Sequence, residues 1–273
     1  MLSLLDHPAV QAGVGPLIVS LIVAAVLSRT RLAWLAIIAG YATMIALSTG
    51  FAFEPLTAAR KVTLICLGAA VVGLVADIGS KRSATIVTTS LSAIAGAVAV
   101  WAFSSVLRQR EGSEGYLAAA GIALFAAILT YAVLRLRDDG FRTGAAGLGL
   151  GLATGVVALL SASIGFLAAG ISIAAAAGAL LLVQIFRGAI PAGYTGALTL
   201  GLATALFACG TLILAQLKWY VLPLLLLVPF AASLPAPKRA PRIVYAAVLA
   251  AYSLIAAVLP ILAAWYAARG SLN

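Results

Sequence analysis

Residues 164–186 read IGFLAAGISIAAAAGALLLVQIF, 23 consecutive positions without a charged side chain. At a helical rise of about 1.5 Å per residue the run is about 34 Å long, enough to cross a hydrocarbon core of about 30 Å. Lipid offers no partner for backbone N–H and C=O groups, so a run of this kind must close its own hydrogen bonds and is helical. Transmembrane barrel strands alternate apolar and polar residues over about ten positions. This run is continuously apolar, which excludes a barrel.

Moving outward in both directions, the pattern repeats. Ten apolar runs occupy 8–28, 32–49, 62–77, 84–107, 116–136, 141–161, 164–186, 194–216, 219–234 and 243–268. The expected fold is all-α, a polytopic transmembrane bundle of about ten spans forming one integral membrane domain over residues 1–273. Composition agrees: 64% of residues are hydrophobic, 9% are charged and the mean hydropathy is +1.18, whereas soluble chains carry about 25% charge. The first run lacks a basic flank on its N-terminal side and is long enough to span, so it reads as a helix and not as a cleaved signal. The longest loops, 50–61, 108–115 and 235–242, are too short to hold a domain. Any activity therefore belongs to the bundle or its rim.

The net charge of +10 comes from 17 basic residues gathered at the ends of runs. Eleven of them, Arg29, Arg31, Lys81, Arg82, Arg135, Arg137, Arg142, Arg187, Lys238, Arg239 and Arg242, fall on one side. Six, Arg60, Lys61, Arg108, Arg110, Lys218 and Arg269, fall on the other. Lys and Arg collect in cytoplasmic loops, which predicts the first set inside and both termini external. Arginine outnumbers lysine 13 to 4 and alanine is abundant, a composition that suggests a GC-rich bacterial genome; the expected location of the helical bundle is then the bacterial cytoplasmic (inner) membrane. Anionic lipid headgroups are the expected counter-charge. Nucleic acid is not, because its phosphates need a basic surface outside the bilayer.

The middle of every run is free of Asp, Glu, His, Lys and Arg, the residues of proton relays and ion-coupled pumps. His7, the sole histidine, precedes the first run. There is no HExxH, no histidine pair, no GxSxG and no phosphate loop. The expectation is a non-enzyme without cofactor or metal. Arg137-Asp138-Asp139-Gly140 lacks the repeated acids of prenyl-transferring membrane enzymes and reads as a hairpin turn. Cys66 and Cys209 sit inside apolar runs without metal spacing and read as small apolar packers. Both fall in the same half of the bilayer, which leaves a disulfide open.

Polar candidates are few. Asp77 ends the third run with Lys81 and Arg82 just beyond, as a rim ion pair or as a gate. Thr85, Thr88, Thr89 and Ser92 fall at i, i+3, i+4 and i+7 on one helix face, and Ala95 and Gly96 continue it. That face either lines a polar path or bonds neighbouring helices and its own backbone. Pro223 and Pro229 interrupt the ninth run and Pro260 the tenth, each freeing a carbonyl. Trp219 with Tyr220, and Trp265 with Tyr266, read as interfacial anchors.

Small residues recur every four positions at Gly147, Gly151 and Gly155, at Gly170, Ala174 and Gly178, and at Ala197, Gly201 and Ala205. Such stripes let backbones approach closely, which predicts that the sixth to eighth helices pack most tightly. Residues 148–154, LGLGLAT, match residues 198–204, LTLGLAT, at six of seven positions. This marks either a duplicated helix pair or a coincidence of composition. A five-plus-five inverted repeat is not supported, because the shortest runs, the third and ninth, do not occupy matching places.

These features suggest a permease for a small solute or lipid-related molecule, with a path along Thr85, Thr88, Thr89, Ser92 and Asp77. The alternative is a non-catalytic anchoring or scaffold subunit that holds partner membrane subunits.

Overall fold

The structure, a computed structural model, describes residues 7–48, 50–51, 54–79, 84–109, 112–215, 217–237 and 240–270. Among them there are helices and turns and no strand. We number the helices α1 (Val10–Val26), α2 (Leu32–Ser48), α3 (Ala58–Gly79), α4 (Ala84–Leu107), α5 (Ser113–Leu134), α6 (Gly140–Leu160), α7 (Ile164–Arg187), α8 (Gly193–Leu214), α9 (Val221–Ala232) and α10 (Arg242–Gly270). Seven, α3 to α8 and α10, are long and apolar enough to cross a membrane. The other three are shorter: α1 and α2 reach about 26 Å and α9 about 18 Å at the helical rise. The third run is therefore not among the short ones. Its helix begins at Ala58 and takes in Arg60 and Lys61, which the sequence reading had placed in a loop.

Cations enter that first turn because each has a partner. Arg60 Nη1 donates to Pro55 O at 2.8 Å, and the Lys61 ammonium lies 5.2 Å from the centroid of the Trp101 ring on α4.

Helix α8 is the axis of the bundle, with 89% of its most apolar window buried. It packs against α3 and α5 and, less extensively, against α6. Lipid tails are as apolar as leucine, so association depends on close van der Waals fit. The glycine stripes meet this need. A Cβ on Gly151 would stand 2.6 Å from Ala174 N, and one on Gly170 would stand 2.6 Å from Gly155 Cα. Helices α6 and α7 thus touch backbone to backbone and form the most extensive contact in the bundle. The stripe on α8 has a different partner: Gly201 faces Thr130 and Val133 of α5. The two copies of the repeated heptad share a local geometry, since Thr154 and Thr204 each donate to the carbonyl four residues back at 2.7 Å. Their surroundings differ, α7 for one and α5 for the other.

The prolines of α9 break it at Leu226 into Val221–Leu225 and Leu227–Ala232. Pro260 is accommodated inside the continuous α10. Cys66 and Cys209 are buried free thiols.

Candidate functional site

The two ends of the bundle differ in character. At one end, the turns joining α1 to α2, α5 to α6, α7 to α8 and α9 to α10 are tied together by polar side chains. We call this the polar end. Asp77, at the end of α3, accepts from Tyr194 N at 2.7 Å, Thr195 N at 2.9 Å and Thr195 Oγ1 at 2.7 Å. It therefore caps the N-terminus of α8 from another helix, where backbone donors and the helix dipole favour a carboxylate. Gly193 permits this approach. Its φ is +61°, and a Cβ there would stand 2.6 Å from Asp77 Oδ2.

Arg137, in the α5–α6 turn, extends the layer. Its Nη1 donates to Thr88 Oγ1 at 2.8 Å, its guanidinium lies 4.8 Å from the Tyr194 ring centroid, and its carbonyl accepts from Gly193 N at 3.1 Å. Asp139 caps α6 by accepting from Arg142 N at 3.2 Å, and Tyr245 on α10 donates to it at 2.7 Å. Arg142 Nη1 reaches Ala232 O at 2.8 Å and Leu234 O at 3.0 Å, the carbonyls left open at the end of α9. Buried Trp34 donates to Ile190 O at 3.1 Å, and buried Gln184 accepts from Ile190 N at 3.3 Å. Around Asp77, Arg137, Asp138 and Tyr194 this layer leaves a cavity of about 200 Å³.

The opposite end, where α2 and α8 finish and α3 and α7 begin, is open. A cavity of about 1100 Å³ lies between the start of α1, the last half of α2 and the first turns of α3 and α7. Ser48 and Gly50 lie at its mouth and Tyr41 and Ile171 deep within it. Seven residues of α2 separate Ser48 from Tyr41, a depth of about 10 Å at the helical rise. Its wall is mainly apolar, with Met44, Ile45, Val62, Ile164, Phe166, Leu167 and Ile171. Tyr41 and Phe166 rest on Phe207 of α8 with ring centroids 5.5 and 6.2 Å away. On the α1 wall that helix opens with a wide turn in which Gly15 N donates to Val10 O, five residues back. Such turns are frequent at functional sites.

Thr57, just before α3, and Arg60 and Thr63 on it line the cavity at three-residue intervals, and Gln11, Ser48 and Ser163 are polar residues of its other walls. Thr63 Oγ1 lies 3.4 Å from the Tyr41 hydroxyl. Among the described residues no Asp or Glu lines the cavity. Compared with protein-family models, characterised proteins and solved structures, the chain matches none.

Of the residues singled out in the sequence, Asp77 and Thr88 meet at the polar end, both within one hydrogen bond of the Arg137–Tyr194 pair. Thr88 and Ser92 are buried, whereas Thr85 and Thr89 are exposed. Thr88, Thr89 and Ser92 each donate to the carbonyl four residues back. Farther along the Thr88–Ser92 face, a Cβ on Gly96 would stand 2.6 Å from Ala123 O of α5, so this face abuts a helix there. Lys81 and Arg82, the expected partners of Asp77, lie outside the described residues, as do Arg110, Lys238 and Arg239. Tyr41, Arg60 and Thr63 were not singled out. Their signal was the three-residue spacing of Thr57, Arg60 and Thr63, hidden because Arg60 was assigned to a loop.

Proposed function

We propose that the protein is a membrane permease for a lipid-related molecule, spanning a bacterial cytoplasmic membrane about ten times with both termini outside. In this arrangement α1, α2 and the broken α9 cross where the bilayer thins around them. The arginine-rich polar end faces the cytoplasm by the charge count. The observation that carries the reading is the 1100 Å³ cavity, open at one end of the bundle and floored at Tyr41 and Ile171, with the hydrogen-bonded turns closing the opposite end of the bundle. Small-molecule sites are apolar concavities of roughly 300–1000 Å³ with a few placed polar groups, and this cavity, at about 1100 Å³, is slightly larger. A path that is open on one side and latched on the other is one of the two states alternating access requires. The latch is the set of bonds around Asp77, Arg137 and Thr88, so one α4 hydroxyl serves the gate instead of the wall of the path. Release would need Asp77 to leave the N-terminus of α8.

Reconstitution in liposomes tests the reading. Flux of a lipid-related solute is expected to be lost in Ala168→Trp, which fills the cavity. It should persist in Ile94→Trp, on the exposed face of α4. Equal flux in both variants refutes the cavity as the path. A purified complex with a stoichiometric partner and no flux refutes transport in favour of a scaffold.

A further inference from the structure

The cavity has a chemical asymmetry that narrows its ligand. Among the described residues its charged lining residue is a cation, Arg60, and no acidic residue lines it. Glu54, in the preceding loop, is exposed and not part of the wall. Among the described residues the Arg60 guanidinium makes one hydrogen bond, to Pro55 O, and pairs with no carboxylate. Guanidinium carries five N–H donors in a planar fork suited to carboxylate or phosphate oxygens, so most of that fork is uncommitted. Thr57 and Thr63 stand one turn to either side, and each rise of three residues is about 4.5 Å. A polar head placed at Arg60 therefore lies within reach of both hydroxyls. Tyr41 lies beside Thr63, and its hydroxyl has a single long contact at 3.4 Å.

On the α2 and α7 walls, Met44, Ile45, Phe166 and Ile171 form an apolar stretch with no polar side-chain group beyond the methionine sulfur, while Gln11, Ser48 and Ser163 are the polar residues outside the stripe, the Ser48 hydroxyl donating to Met44 O at 2.8 Å. A hydrophilic anion would be desolvated against that apolar stretch without compensation. A neutral apolar molecule would leave the uncommitted guanidinium N–H groups unpaired. A molecule with an oxyanion at one end and an apolar chain at the other satisfies both walls. We infer that the cavity takes an anionic amphiphile, its carboxylate or phosphate head on Arg60 between Thr57 and Thr63 and its chain against α2 and α7. This inference rests on the permease reading and adds the class of substrate to it.

The test uses the full chain in nanodiscs and three photo-crosslinking probes with the same diazirine-bearing alkyl chain: a fatty acid, an alkyl phosphate and a fatty alcohol. Crosslinks are mapped by mass spectrometry. One or both anionic probes are expected to label residues around Met44 and Ile171 at concentrations about tenfold below the alcohol. Arg60→Gln should remove that advantage and leave alcohol labelling unchanged, which also reports that the cavity is intact, and Arg60→Lys should restore most of it. The stronger of the acid and phosphate arms identifies the head. Equal labelling by all three probes, or an anion preference that survives Arg60→Gln, overturns the inference and leaves the cavity as a path for neutral molecules. No labelling of the cavity by any probe overturns the permease reading as well.

Discussion

Replacing Asp77 by alanine removes the cap of the central helix, and the structure sets the size of the effect. The carboxylate accepts two backbone N–H groups and one hydroxyl, all within 2.9 Å. The Thr195 hydroxyl can turn to its own backbone, so its loss is small. The two N–H groups have no such alternative, and hydrogen bonds to a charged acceptor contribute about 1.5–3 kcal/mol each. Because Asp77 is half-exposed and water can reach the site, the lower figure applies to each, giving about 3 kcal/mol in total. For a chain of this size class that corresponds to a fall in Tm of about 6–12 °C. Asp77→Asn keeps one acceptor oxygen but turns its amide donors toward the remaining N–H, so about half the loss is expected. The assay is thermal unfolding in a mild detergent followed by loss of the monodisperse peak. The double variant with Thr195→Val should lose about 1 kcal/mol less than the sum of the singles, because both act on one group. A Tm for Asp77→Ala within about 1 °C of the parent, or strict additivity with Thr195→Val, would refute the cap.

Thr88→Val should cost about 1 kcal/mol by removing the acceptor of Arg137, while Thr89→Val, exposed and bonded to its own helix, should be neutral; the two melting curves decide. Arg142→Met frees the carbonyls of Ala232 and Leu234, so faster hydrogen–deuterium exchange over residues 227–234 is expected without change in α7. Gly151→Val forces the α6 and α7 backbones apart and should cost about 3 kcal/mol or prevent folding, seen as lost expression of monodisperse protein. A maleimide should label Cys66 and Cys209 only after denaturation, as both thiols are fully buried.

The helices were legible because each depends on local composition measured against its solvent. A charge-free run in lipid must be helical whatever it packs against, and each of the ten runs corresponds to a helix among the described residues. The turn at Asp138-Asp139-Gly140 and the break in α9 were equally local, since capping and proline act on neighbouring residues. Boundaries failed where a charge has a private partner: Arg60 and Lys61 lie inside α3 because Pro55 O and the Trp101 ring hold them.

The sequence by itself thus determined a helical membrane chain with short turns, close-packing glycine stripes and no Asp, Glu, His, Lys or Arg in mid-run. Tertiary structure decided which stripe meets which, that Asp77 caps a helix beginning at Gly193, that Thr88 holds Arg137, and that the large cavity lies at the opposite end from the polar layer. Asp77 and Tyr194 are 117 positions apart. In a chain where Gly, Ala and Leu recur everywhere, many helix pairings satisfy the same pattern. Only the fit of all faces at once selects among them, and a cavity is what remains where that fit is incomplete.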